Sequence, residues 1–161
     1  MVFLLTINFC VIMVYMFFGW LMSLAREDAS IADILWGIGF ILVAWISFFL
    51  NGDSFPGRKI LLVSLVTIWG IRLAVHIALR NRGKGEDPRY RAWREQYGEK
   101  FKIVSLFKVF LLQGLFLWVI SLGAQYGQYH HSPWHFTAFD VIGACVWAIG
   151  FFFESLGDYQ L

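Results

Sequence analysis

Apolar and polar positions along this chain are segregated into long blocks. Apolar runs cover Val2 to Leu24, Ile31 to Leu50, Ile60 to Leu79, Val104 to Ala124 and Phe139 to Asp158, with polar stretches between them. Each run is about 20 residues long, enough at about 1.5 Å rise per residue to cross a hydrocarbon layer about 30 Å thick. The pattern predicts an all-α, polytopic transmembrane bundle of about five helices in one domain, residues 1–161. Short links make neighbouring helices antiparallel. The breaks carry the expected punctuation: Arg26-Glu27-Asp28 closes the first run, and Asn51-Gly52-Asp53-Ser54-Phe55-Pro56-Gly57 closes the second. The first run has no early Lys or Arg and exceeds the roughly 7 to 15 apolar residues of a signal peptide. It reads as a retained helix.

Composition points the same way. With 59% hydrophobic residues, 17 Phe and 8 Trp in 161 positions, the chain has more apolar surface than a soluble domain of this size can bury. Charge then sets an orientation. Eight of the 13 Lys and Arg lie in Arg80 to Lys102, RNRGKGEDPRYRAWREQYGEKFK. Arg26 and Lys108 fall on the same side, against only Arg58 and Lys59 on the other. The positive-inside rule therefore predicts an outside N-terminus and a cytoplasmic basic loop and C-terminal end. Gln125 to Thr137 becomes an outer loop whose Tyr126, Tyr129, Trp134 and Phe136 form an interfacial aromatic belt. A basic loop at an anionic leaflet accounts for the net charge of +2 without a nucleic-acid partner.

Cys10 and Cys145, both inside apolar runs, read as small buried packing residues. His130, His131 and His135 have no Cys or carboxylate at ligand spacing, so they read as interfacial polar residues and no metal is expected.

Ionisable residues inside spans are costly, and each is a site candidate. Arg72 and His76 are four apart on the third run, and Arg80 extends the stripe toward the basic loop. Arg72 lies about 10 Å deep, where it either pairs with a carboxylate elsewhere in the bundle or meets a ligand. Asp33, near the start of the second run, is either a helix-terminal carboxylate favoured by the dipole or a site acid. Asp140 has the same dipole explanation and no basic neighbour. Glu154 and Asp158 share a helical face, where their repulsion calls for the arginine track, ligand hydroxyls or a solvated helix end. The segment Asn81-Arg82-Gly83-Lys84-Gly85-Glu86-Asp87-Pro88 combines cations with glycines that free backbone N–H groups, a composition suited to phosphate. From Arg91 onward the loop reads as ordinary surface. Together these groups suit a nucleotide, with phosphates on Arg and Lys and ribose hydroxyls on carboxylates.

The same residues carry a resemblance. Trp69-Gly70-Ile71-Arg72, then Asn81 to Tyr90, then Phe153-Glu154-x-x-Gly157-Asp158-Tyr159-Gln160-Leu161 resemble the bacterial steroid 5-alpha-reductase-like membrane proteins, often labelled only as a domain of unknown function. The resemblance implies about seven transmembrane helices, a cytoplasm-facing NADPH cavity and reduction of an activated C=C bond in a small hydrophobic, lipid-like substrate at the bacterial inner membrane. It implies cofactor contacts for Asn81, Arg82, Gly83 and Lys84. Glu154 and Asp158 match the family's Asn-x-x-x-Asp cofactor pair, with Glu in place of Asn, and Arg72 lies one residue out of register with a phosphate-binding arginine. Asp33 matches a catalytic Glu of the second helix. The catalytic Tyr of the third helix has no counterpart at Trp69-Gly70, and His76 is taken as the donor in its place. Family members continue past Gln160-Leu161 into further helices and a Ser-Arg-His-Pro-Asn-Tyr type motif, so the chain is expected to be an N-terminal portion.

Two other function classes stay open on sequence alone. Membrane methyltransferases of the isoprenylcysteine carboxyl type share a cytoplasm-facing site but use S-adenosylmethionine. A non-enzymatic membrane protein whose basic loop binds anionic lipid would tolerate Lys and Arg exchange in that loop, as a cofactor site would not.

Overall fold

The computed structural model describes residues 1–51, 54–130 and 132–160. Gly52 and Asp53 of the expected turn, His131 of the histidine group and Leu161 lie outside the described residues. The described chain is helical, with no strand among these residues: α1 (Val2–Arg26), α2 (Ile31–Leu50), α3 (Pro56–Asn81), α4 (Pro88–Tyr97), α5 (Phe101–Ser105), α6 (Leu112–Tyr129) and α7 (Ala138–Gln160). A 3₁₀ turn (Gly98–Lys100) joins α4 to α5, and a π-helical segment (Leu106–Leu111) joins α5 to α6. Five helical stretches are long and apolar enough to cross a membrane: Val2–Arg26, Ile31–Leu50, Pro56–Asn81, Pro88–Tyr129 and Ala138–Gln160. Helix is the form such segments must take, because hydrocarbon offers no partners to backbone N–H and C=O groups.

The bundle is organised around α2, which packs on α1, α3 and α6. Ile12 and Met16 of α1, Val43 of α2, Phe110 of the π-helical segment and Leu117 of α6 form its most buried apolar core. Where α2 crosses α3, glycine meets glycine. A Cβ at Gly37 would stand 2.6 Å from the Gly70 carbonyl oxygen, and one at Gly70 would stand 2.6 Å from that of Gly37. Small residues at such a crossing let backbones meet where lipid supplies no hydrophobic force between helices.

The end of the bundle opposite the basic loop is tied by polar groups. Asn8 Nδ2 donates to Ser47 Oγ (3.0 Å) and to Gln125 Oε1 (2.8 Å), joining α1, α2 and α6 through fully buried side chains. Gln128 Nε2 donates to the Ala44 carbonyl at 3.2 Å. The expected outer loop is therefore shorter than its polarity suggests: α6 runs on to Tyr129, and Gln125 and Gln128 are buried helical residues. One amide atom of each bonds to another helix, Gln125 Oε1 to α1 and Gln128 Nε2 to α2, which a linear reading cannot see. Tyr126, Trp134 and Phe136 are exposed there.

Helix α7 is attached differently, for none of its residues is buried. At one end Arg58 of α3 grips Asp140, Nε to Oδ1 at 2.7 Å and Nη2 to Oδ2 at 3.0 Å. This corrects the expectation that Asp140 has no basic neighbour, since its partner lies 82 positions earlier. Cys10 and Cys145 are likewise exposed, not buried, on the outside of the bundle.

Candidate functional site

The basic stretch expected as a loop is a short connector followed by a helix, and its residues are placed by local rules. Gly85 takes φ +71°, a conformation that side-chain-bearing residues rarely adopt. Asp87 then caps α4, its carboxylate accepting the Arg89 N–H at 2.9 Å, with Pro88 in the first turn. Glu86 docks the connector onto the α1–α2 link. Its side chain is only 8% exposed, accepts the Ala29 N–H at 2.9 Å and is held in a two-point grip by Arg94, both contacts at 2.8 Å. The Asp87 N–H donates to Ser30 Oγ at 2.7 Å.

Docking brings the start of α4 to Asp33 in the first turn of α2. Arg89 Nη2 donates to Asp33 Oδ2 at 3.0 Å, and the Tyr90 hydroxyl donates to Asp33 Oδ1 at 2.7 Å. Gln113 Nε2 of α6 donates to the same hydroxyl at 3.2 Å, which leaves the Tyr90 proton directed at the carboxylate. Tyr90 is 4% exposed. Asp33 faces a cavity of about 370 Å³ whose other walls are Trp36 of α2, Leu73, Ile77 and Arg80 of α3, Arg89 and Gln113. Arg80 and Arg89 also border a second, more polar cavity of about 600 Å³, lined by Asn81, Lys84, Glu86, Asp87 and Arg91 among others. Asn81 Nδ2 is buried without a hydrogen-bond partner. A basic chamber and an apolar one therefore meet at two arginines.

The remaining candidates gather elsewhere. Arg72 donates to Glu154 through Nη2 and to Asp158 Oδ2 through Nη1 at 2.5 Å, joining α3 to α7. Trp69 Nε1 donates to Glu154 Oε2 at 2.9 Å, and His76 Nε2 lies 3.7 Å from Asp158 Oδ1. The repulsion expected between Glu154 and Asp158 is thus offset by an arginine from another helix. The stripe of Arg72, His76 and Arg80 divides because eight residues of helix turn the face by about 80°. Arg72 and His76 meet α7, whereas Arg80 lines the Asp33 cavity. Asp33 and His76 consequently belong to different clusters. Of the motif residues, Asn81 and Lys84 line the basic cavity, Arg82 is exposed, and Gly83 takes φ +77° at the turn.

Tyr90, Arg89 and Gln113 are the residues that spacing along the chain did not mark. The α4 half of the loop, expected to be ordinary surface from Arg91 on, supplies Arg94 as the anchor of Glu86.

Charge also makes the docking acid-sensitive. Burial alone would raise the Glu86 pKa, but hydrogen bonds from Arg94 and the Ala29 N–H outweigh it and hold the carboxyl below the usual range. For Asp87 the Arg89 hydrogen bond dominates and acts in the same direction. A depressed folded pKa adds stability that is full above the unfolded value and disappears as pH falls through the folded one. Exchange protection of the Ala29 amide is thus expected to hold at neutral pH and to fall once pH drops below about 4. Glu86→Gln should remove that dependence, and an Ala29 amide protected equally at acid and neutral pH would exclude this role for Glu86.

Residues 19–161 match the model of a family described as a protein of unknown function, DUF1295. No curated protein and no solved structure matches the chain.

Proposed function

The chain belongs to the DUF1295 family, and we propose that it acts as an integral membrane reductase, with NADPH reducing an activated C=C bond in a steroid-like or other lipid substrate. One observation carries this reading: the basic cavity and the Asp33 cavity share Arg80 and Arg89, so an anionic cofactor in one reaches a hydrophobic substrate in the other. In this reading the cation-rich end faces the cytoplasm, where NADPH is available, and a bacterial inner membrane is the setting.

The residues suit the cofactor. Lys84 and Arg91, which line the basic cavity and not the Asp33 cavity, would meet its phosphates, and the unpartnered Asn81 Nδ2 would donate to one of its oxygens. When bound, NADPH supplies a hydride to one carbon of the double bond, and a proton added to the neighbouring carbon completes the saturated product. The protein supplies the rest. Arg80 and Arg89 stabilise negative charge developing on the substrate carbonyl oxygen. Asp33 is the proton carrier, donating after it has taken a proton from the open loop face. Tyr90 is a positioning residue that holds the Asp33 carboxyl, a role His76 is too far into the other cluster to share. Trp36, Leu73 and Ile77 exclude water. Arg72, Glu154 and Asp158 serve the site by fixing α7 against α3.

Titration of NADPH into the purified chain, followed by calorimetry, tests the reading. Saturable binding is expected, and Lys84→Ala and Arg91→Ala should each weaken it about tenfold, or ~1.4 kcal/mol. Lack of saturable binding, or wild-type affinity in both variants, would count against the assignment.

A further inference from the structure

A third cavity adjoins the Asp33 chamber, and its own cation, Lys108, has no part in the reductase reading. Its volume is about 380 Å³, and it is bounded by Arg89, Tyr90, Trp93, Lys108, Val109 and Gln113. Arg89 and Gln113 border both cavities, so the two are neighbours.

Three observations show what this cavity would hold. Lys108 comes from the π-helical segment, a rare geometry that concentrates at functional sites. Its ammonium rests on aromatic faces, 4.5 Å from the Trp93 ring centroid and 5.4 Å from that of Tyr97, and Nζ donates to the Tyr97 hydroxyl at 3.4 Å. Among the described residues no carboxylate forms an ion pair with it, in contrast to Arg89 and Arg94 close by. Second, Gln113 Oε1 is buried without a hydrogen-bond partner, an acceptor at the cavity wall. Third, the remaining surface is apolar, with Val109 1% exposed beneath and the large side chains of Ile103 and Phe107, on the same span, facing outward.

A soluble anion would use the cation and waste the apolar wall, and a neutral lipid would leave the lysine charge unmatched. We propose that the cavity binds an anionic amphiphile. Its phosphate or carboxylate head sits on Lys108, within the field of Arg89, a head hydroxyl or amide donates to Gln113 Oε1, and the start of its chain lies along Trp93 and Val109. Aromatic faces beneath the ammonium hold it in place without neutralising it, which keeps its charge for the ligand.

Native mass spectrometry of the chain with phosphatidylglycerol or phosphatidylcholine added tests this, with glycerol phosphate as a head lacking a chain. The wild type should retain phosphatidylglycerol at least about fivefold more tightly than phosphatidylcholine, equivalent to ~1 kcal/mol. Lys108→Gln should erase that preference and Lys108→Arg should keep it, while Lys102→Gln, at an exposed position outside the cavity, should leave it unchanged. Equal retention of the two lipids by the wild type, a requirement needing no variant, would overturn the proposal. So would displacement by glycerol phosphate at the concentration of the lipid, or an effect of Lys108→Gln no larger than that of Lys102→Gln.

Discussion

Arg72→Ala is expected to destabilise the protein by about 2 kcal/mol, between the worth of an exposed ion pair and the loss on breaking a buried one. Among the described residues Arg72 is the only Lys or Arg in contact with Glu154 and Asp158, and the three side chains are 19%, 37% and 24% exposed. Without it, two half-buried carboxylates four residues apart would keep only the Trp69 indole N–H near Glu154 and the His76 imidazole near Asp158. Burial elsewhere on α7 cannot absorb the loss, because none of its residues is buried. Equilibrium unfolding in mixed micelles, read by helical circular dichroism, should show the shift. Replacing Arg72, Glu154 and Asp158 together with Leu should recover most of it, since exchanging a whole ionic cluster for apolar groups leaves no unpaired charge behind. An Arg72→Ala transition coincident with the wild type would mean that the clamp does not hold α7.

On the proposed reductase reading, Asp33→Asn is expected to lower the rate of lipid-enone reduction by about 10² to 10⁴, the range that a positioned acid contributes. The amide keeps the size of the side chain and one acceptor oxygen, enough for Tyr90 or Arg89 but not both, since these donate to different oxygens of Asp33; the fold and NADPH affinity should stay near wild type. Tyr90→Phe should have a smaller effect. It removes the 2.7 Å contact that orients Asp33 and leaves the Gln113 amide without its acceptor. Single-turnover oxidation of NADPH with an enone lipid separates the two, because Asp33→Asn should change the chemical step while binding is preserved. If Asp33→Asn oxidised NADPH as fast as the wild type, Asp33 would have no part in the chemistry, whatever the cofactor affinity.

These two residues show how much could be read from the chain. Arg72, Glu154 and Asp158 stand out because ionisable groups in apolar runs are rare, and a carboxylate partner for the arginine was one of two readings open from the start. Which carboxylates, and on which helix, depends on how α3 and α7 lie against each other over a separation of 82 and 86 positions. Asp33 was likewise legible as a candidate. Its partners were not: Tyr90 and Arg89 lie in a segment whose high charge reads as exposed loop, and only the Asp87 cap and the Glu86 anchor show that it folds into a docked helix. His76 failed to join Asp33 for a geometric reason. Residues four apart share a face only approximately, and the drift over two such steps sends Arg80 toward α2 while Arg72 and His76 stay toward α7.

The sequence by itself determined that the chain is a bundle of membrane-crossing helices, because block length and the backbone's need for internal hydrogen bonds leave hydrocarbon-spanning segments little choice. It also determined where charge is concentrated, since cations cluster in one stretch regardless of packing. Only the tertiary structure decided which charges pair, which glycines meet, and that Asp33 shares a cavity wall with arginines from α3 and α4. Those outcomes depend on helix rotation and register, which are set by side-chain packing between segments far apart in the chain and leave no periodic trace along it.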